Sequence, residues 1–162
     1  MPISRWAMTE VIALVSALTA FAAVVLAPLV SLYNEKKKIA AQVVSSNRQL
    51  WINALRDDLA HFVTEIRHIA AALAANAITE KEAIARYGAM TICEERIKLR
   101  LNPAETEHNE LVRLMGAAST RLQGAINKRQ SMAQELDTAA DRIVEEAQRI
   151  LKSEWNRVKK GE

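Results

Sequence analysis

Two Glu-x-x-His pairs are the residues of this chain whose types and spacing best suit metal chemistry. Glu65 precedes His68, and Glu105 precedes His108, each time by three positions. On a helix this spacing places a carboxylate and an imidazole on one face, as di-iron four-helix proteins require. The hydrophobic pattern opposes this use in the first pair, because Ile66 belongs to the inward face and His68 points away. A di-iron metal protein is therefore a minor alternative, and we expect neither a metal nor a cofactor.

Cys93 is the single cysteine and the other candidate for chemistry. It lies beside Glu94 and Glu95, whose negative charges disfavour a reactive thiolate. The chain has no glycine-rich phosphate loop and no local pattern typical of a Ser, His and Asp triad. The net charge is only +3, with basic and acidic residues interleaved, unlike a nucleic-acid-binding surface. We expect no catalysis and no nucleic-acid binding, and no small-molecule substrate is evident.

The composition favours an all-α fold. The chain has 4 glycines and 3 prolines among 162 residues. It has no short alternating runs of Val, Ile and Thr bounded by turn residues, so a sandwich, a barrel or a doubly wound sheet is excluded. The length allows one modest domain.

The most distinctive segment, at residues 11–33, reads VIALVSALTAFAAVVLAPLVSLY and contains no charged residue. A helix of about 23 residues reaches ~34 Å, enough to cross a hydrocarbon core of about 30 Å. A cleaved signal peptide is the competing interpretation, but its apolar region is shorter, about 7 to 15 residues. Three lysines follow at 36–38, so we expect the C-terminal part in the cytoplasm and the N-terminus outside.

These patterns predict a protein of the bacterial inner membrane with a single span. We expect a short extracytoplasmic N-terminus at 1–10, a transmembrane helix at 11–33, a basic juxtamembrane stalk at 34–46 and a cytoplasmic helical bundle at 47–162. Small side chains recur every three or four positions in the predicted span, at Ala13, Ser16, Ala20, Ala23, Ala27 and Ser31. Such a stripe lets helices approach closely in lipid and favours self-association.

Helix signals divide the predicted bundle. Apolar residues recur every three or four positions over 52–73, which predicts one amphipathic helix. Thr79 and Glu82 have the spacing of a capping box at the start of the next helix. A further start is predicted at Asn102-Pro103-Ala104-Glu105, with Asn102 as the cap, Pro103 at the first helical position and Glu105 three positions after the cap.

Residues 127–131, which read NKRQS, leave two architectures open. Arg129 falls where the hydrophobic pattern calls for an apolar side chain. A turn there gives an up-down four-helix bundle, which we favour because the helix lengths let the helices cover one another. The alternative has three helices, the last a long continuous rod. In the bundle, Trp155 is expected level with Ile52 and beside Trp51.

Aromatic and charged side chains gather at the predicted membrane-proximal end of the bundle. This basic–aromatic cluster consists of Arg48, Trp51, Arg56, Glu154, Trp155 and Arg157. Trp and Arg are over-represented at interaction hot spots, so a partner surface is one interpretation. The other is that stacking and ion pairs join the helices at that end. Glu154 or a backbone carbonyl is expected to accept a hydrogen bond from an indole N–H.

Three segments carry a family resemblance: RQLWINALR at 48–56, IKLRLNPAE at 97–105 followed by His108 and Leu111, and LKSEWNRVK at 151–159. Together they resemble a family of uncharacterised bacterial single-span membrane proteins with a short outer N-terminus and a helical cytoplasmic region. The resemblance covers nearly the whole chain. It implies location and architecture, and it brings no activity with it.

We therefore expect a membrane-anchored, non-catalytic helical protein that acts through self-assembly or a protein partner on the cytoplasmic face, with membrane lipid as its other partner. The alternative is a membrane-acting effector, for example in bacterial defence, whose oligomerisation perturbs the bilayer. A uniformly apolar span without a row of polar pore-lining residues argues against a conducting channel.

Overall fold

The computed structural model describes the backbone of residues 5–160. Within that range, the side chains of residues 5–7, 9, 11, 22, 25, 27, 29, 30, 34, 36, 37, 40 and 41 lie outside the description. Four helices and no strand occur over 5–160, so the predicted all-α class is confirmed. The helices are α1 (Arg5–Ala74), α2 (Glu80–Arg100), α3 (Thr106–Lys128) and α4 (Ala133–Lys160).

The chain forms two compact units, Met1–Val44 and Ser45–Glu162, and α1 contributes residues to both. In the first unit, every described side chain between residues 12 and 33 is exposed. Among the residues with described side chains, no helix is both long enough and apolar enough to cross a membrane. The predicted span at 11–33 includes positions outside that set and stays a prediction.

The second unit is a helical bundle, and ion pairs between neighbouring helices show that these neighbours are antiparallel. Arg48 Nε lies 3.5 Å from a Glu154 oxygen, and Arg67 Nε lies 2.8 Å from an Asp137 oxygen. Position numbers thus rise along α1 as they fall along α4. The same relation holds between α1 and α2, where Glu65 pairs with an arginine early in α2 and Asp58 pairs with arginines at its end.

The core lies between the inward faces of all four helices. The predicted amphipathic pattern is confirmed, because the apolar positions from residue 52 to residue 69 are buried. Burial of this apolar area is the main favourable contribution to folding. The largest fully buried side chains are Leu55, Phe62, Ile66, Ile69, Met90, Ile97, Leu111, Met115, Leu122, Leu136, Ile143 and Ile150.

The start of α2 follows its sequence signal. Thr79 precedes the helix with extended backbone, and its hydroxyl accepts a hydrogen bond from the Glu82 N–H. Glu82 in turn accepts from the Thr79 N–H at 3.0 Å, which completes the predicted capping box. This second bond is also the main cause of the lowered pKa of Glu82.

The connection between α2 and α3 differs from the predicted helix start. Asn102 and Pro103 lie in a turn, and α3 begins only at Thr106. The Glu105 N–H donates to the Asn102 carbonyl at 3.1 Å, and the Asn102 side chain accepts from the Ala104 N–H. A proline whose φ suits the first position of a helix suits the second position of a β-turn equally well. Glu105 precedes α3 but makes no side-chain capping bond.

The connection between α3 and α4 decides between the two predicted architectures. Helix α3 ends at Lys128, and Arg129 adopts the left-handed conformation with φ 48°. The Gln130 N–H donates to the Ala125 carbonyl and the Arg129 N–H to the Ile126 carbonyl, as in a Schellman motif. The chain therefore turns at this point, and the continuous rod does not form.

Candidate interaction site

The basic–aromatic cluster is assembled at one end of the bundle, where early positions of the second unit meet the end of α4. Glu154 is its centre: the side chain is nearly buried, with one oxygen 3.5 Å from Arg48 Nε and the other 2.7 Å from an Arg157 nitrogen. Two guanidinium groups thus compensate the charge of one desolvated carboxylate. Ion pairs are thus present at this end of the bundle, between Glu154 and both Arg48 and Arg157.

Arg157 connects this cluster to the turn before α3. The same Arg157 nitrogen lies 3.5 Å from a Glu105 oxygen. The other Glu105 oxygen lies 3.6 Å from His108 Nε2, and His108 Nδ1 accepts from the Asn102 N–H at 2.9 Å. Because Nδ1 accepts, the ring proton belongs on Nε2, facing Glu105. The side chain of His108 is buried.

Trp51 faces α2 and α3. Its indole N–H donates to the Arg100 carbonyl at 3.0 Å, so a backbone carbonyl is the acceptor. That carbonyl belongs to the last turn of α2, where intrahelical donors run out. The ring centroids of Trp51 and His108 are 6.4 Å apart, with the planes tilted by 35°. Trp51 therefore joins three helices at this end.

Asp58, on the buried face of α1, joins α1 to α2 near the same end of the bundle. It is buried to 8% exposure and lies 3.1 Å from an Arg96 nitrogen. Arg100 also donates to its carboxylate. Asp58 is not in the predicted cluster, and its place on the buried face of an amphipathic helix was the only sequence signal for it.

Trp155 and Arg56 lie on a different side, along the groove between α1 and α4. This groove is lined by Gln49, Ile52, Asn53, Arg56, Leu151, Lys152 and Trp155. Trp155 is thus level with Ile52, as predicted, but it is 43% exposed. The Lys159 amino group lies 5.7 Å from its ring centroid. The six cluster residues therefore share one end of the bundle but serve two surfaces.

An arginine side chain contacts both members of the first Glu-x-x-His pair. Arg86 makes two hydrogen bonds to Glu65, at 2.9 and 3.0 Å, and places a nitrogen 2.9 Å from His68 Nδ1. The bonds from Arg86 lower the pKa of Glu65, although burial acts in the opposite direction. A cation between the carboxylate and the imidazole opposes metal binding by both.

A second buried carboxylate was not predicted. Glu94 is 5% exposed and accepts from the Ser119 hydroxyl at 2.5 Å and from the Lys98 amino group at 2.7 Å. The Glu94 contact is the main reason that the pKa of Lys98 is raised. Burial, with a smaller contribution from Glu94, raises the pKa of Tyr87. Adjacent acids at 94 and 95 gave no indication of which one turns inward.

The described part of the bundle combines paired polar groups inside with exposed aromatic and cationic side chains at one end. Among the described residues, no group of three or more His, Cys, Asp and Glu side chains is placed to hold a metal ion. Over the same residues, every buried side-chain nitrogen and oxygen has a hydrogen-bond partner, so no buried polar group is left for a ligand. The exposed parts of the cluster offer aromatic and cationic groups to a surface.

No family model, curated protein or solved structure matches this chain with significant similarity.

Proposed function

We propose that this protein is a membrane-anchored, non-catalytic helical protein that acts by self-assembly or by binding a protein partner. In this proposal residues 11–33 form a single span of the bacterial inner membrane. The helical unit that begins at Ser45 lies in the cytoplasm. Membrane lipid surrounds the span, and a protein surface contacts the bundle.

One observation supports the anchor above all others. The large apolar side chains of α1 between residues 12 and 33 are 55% to 72% exposed: Ile12, Leu14, Val15, Leu18, Phe21, Val24, Leu26 and Leu32. At about 100° per residue these positions lie on all sides of the helix. A helix that packs on one partner needs a single apolar face, whereas one that is apolar all round is suited to lipid.

The contrast between the two units supports an anchoring role for the first and a binding role for the second. In the second unit the large apolar residues are mostly enclosed. Each buried acid there pairs with a basic side chain: Asp58, Glu94, Glu146 and Glu154. Because the buried polar groups of this unit pair with one another, its outer surface is the part that remains to contact a partner. The three lysines at 36–38 follow the apolar stretch in the sequence, and their charge favours retention of that side in the cytoplasm.

Protease protection tests the topology. We predict that a tag placed after Glu162 resists protease added to intact spheroplasts and is digested when the membrane is opened by detergent. A tag before Met1 is digested in both samples, which shows that the protease was active. Digestion of the C-terminal tag in intact spheroplasts, with protection of the N-terminal tag, would reverse the orientation and reject the cytoplasmic assignment.

A further inference from the structure

Helix α2 carries an exposed apolar face in the described part of the bundle. In the described part of the bundle, five large apolar side chains are exposed: Leu50, Ile84, Ile92, Leu99 and Trp155. Three of these lie on α2, with exposures of 53% for Ile84, 62% for Ile92 and 86% for Leu99. At 100° per residue, they fall within a sector of about 80°. The face is therefore a stripe along one side of the helix.

Gly88 lies in the middle of this stripe. A methyl group in place of its hydrogen would meet no atom within 4 Å outside its own stretch of helix. Glycine destabilises a helix interior relative to alanine, and the described surroundings of Gly88 leave room for a methyl group. A glycine on an exposed apolar face lets a second helix approach closely.

The stripe is self-complementary about Gly88. Ile84 and Ile92 lie four positions on either side of it, and Lys81 and Glu95 lie seven positions on either side. If a second copy of α2 runs antiparallel with Gly88 facing Gly88, each Ile84 is level with an Ile92 of the other copy. Each Lys81 is likewise level with the other copy's Glu95.

The charges select this orientation. A parallel pair would place Lys81 beside Lys81 and Glu95 beside Glu95, which is unfavourable at both positions. The antiparallel pair replaces those contacts with two opposite-charge pairs. Glu95 already has Lys98 within 2.9 Å on its own helix, so its carboxylate would be shared by two lysines. Leu99 then reaches the level of the turn that precedes the other copy's α2.

We infer that a second copy of this chain binds the α2 stripe, in a two-fold symmetric antiparallel contact centred on Gly88. This inference rests on the proposed function and names the surface through which self-assembly occurs. The contact is isologous, since each copy contributes the same residues. One helix face is a small interface, so confinement of both copies to one membrane raises the paired fraction.

Cysteine cross-linking of the full-length chain in membranes tests the geometry. Under mild oxidation, Gly88→Cys is expected to form a disulfide-linked dimer. Ile84→Cys alone should not, because the two copies of position 84 are about 12 Å apart along the helices. Coexpression of Ile84→Cys and Ile92→Cys chains with different tags should give the mixed dimer.

Two controls match these variants. The wild-type chain carries only the buried Cys93 and should remain uncrosslinked. Gly124→Cys replaces another helical glycine with no neighbour within 4 Å, but its exposed surroundings on α3 are polar, so it should also give no dimer. A charge test adds independent support: Lys81→Glu should lower the dimer yield from Gly88→Cys about ten-fold, and Glu95→Lys in the same chain should restore it.

The failures are distinguishable. A cross-link of Ile84→Cys with itself would overturn the antiparallel geometry. An oligomeric full-length chain by light scattering in detergent, with no Gly88→Cys dimer, would reject the α2 surface and leave the proposed self-assembly standing. A monomer in membranes and in detergent, without any cross-link, would reject this inference and self-assembly together.

Discussion

Trp51 and Trp155 carry the same indole ring in different environments. Trp51 donates to the Arg100 carbonyl and packs near His108, whereas Trp155 is 43% exposed at the edge of a groove. We expect Trp51→Ala to lower the free energy of unfolding by about 2 to 4 kcal/mol and Trp155→Ala by about 1 kcal/mol or less. Urea denaturation followed by circular dichroism measures both.

Trp51→Phe separates the hydrogen bond from the packing, because it keeps an aromatic ring and removes the N–H. A loss of about 1 kcal/mol is expected for this variant. An equal or larger loss for Trp155→Ala than for Trp51→Ala would contradict the described burial. It would place the main stabilising aromatic on α4.

Glu65 makes stability depend on pH in a defined direction. Its pKa in the folded protein lies below the ordinary value of 4.5, chiefly because Arg86 donates hydrogen bonds to the carboxylate. The resulting stabilisation is present above pH 4.5 and is lost as the pH falls through the lower, folded-state pKa. The advantage of wild type over Glu65→Gln in thermal unfolding should therefore be largest near neutral pH and shrink below pH 4.5.

An exposed control, Glu145→Gln, reports the effect of changing the net charge alone. A gap between wild type and Glu65→Gln that stays constant from pH 7 to pH 3 would show that Arg86 does not act on the ionised carboxylate. The same pH dependence in Glu145→Gln as in Glu65→Gln would also leave no role for this ion pair in acid sensitivity.

At the scale of the elements, the turn after α3 depends on a residue that is poorly suited to its backbone. Arg129 is exposed and has φ 48°, a conformation that glycine adopts without steric cost. We expect Arg129→Gly to raise the free energy of unfolding by about 0.5 to 1 kcal/mol. Arg129→Ala retains a Cβ and serves as the matched control, with no gain expected. A destabilised Arg129→Gly variant would mean that the arginine side chain stabilises the turn more than its backbone strains it.

The helices could be predicted largely from local pattern. Thr79 and Glu82 define the start of α2 because both halves of a capping box are local contacts, and the spacing over 52–73 defines the buried face of α1. The helix start predicted at Asn102 and Pro103 was wrong, because the same two residues suit a β-turn and a helix start. The tertiary bonds around His108 decided between these alternatives, and they cannot be read from neighbours in sequence.

The candidate site could be predicted only in part for the same reason. Glu154 attracts Arg48 from a helix about 100 residues away in sequence, and the antiparallel register predicted that contact. Whether a given acid faces inward depends on a rotation of its helix by less than the angle between consecutive residues. Glu94 and its neighbour Glu95 therefore could not be distinguished, nor could the different exposures of Trp51 and Trp155.

At the scale of the whole molecule, the two units differ in what covers their apolar residues. The bundle covers its own, apart from the α2 stripe and a few isolated side chains. In the first unit, Leu18, Phe21 and Val24 are 60% to 72% exposed. Exposed apolar area of this kind indicates lipid or partner contact. The membrane anchor is therefore the central claim.

Alkaline carbonate extraction of bacterial membranes tests that claim most directly. We predict that the full-length chain stays in the membrane pellet, since about 23 apolar residues surrounded by lipid resist a wash that removes peripheral proteins. A Leu18→Arg/Val24→Arg variant should move largely to the supernatant, because each arginine near the centre of a span costs about 2.5 to 3.5 kcal/mol. Leu18→Ile/Val24→Ile is the matched control and should stay in the pellet. Release of the wild-type chain into the supernatant would contradict the anchor and the location that depends on it.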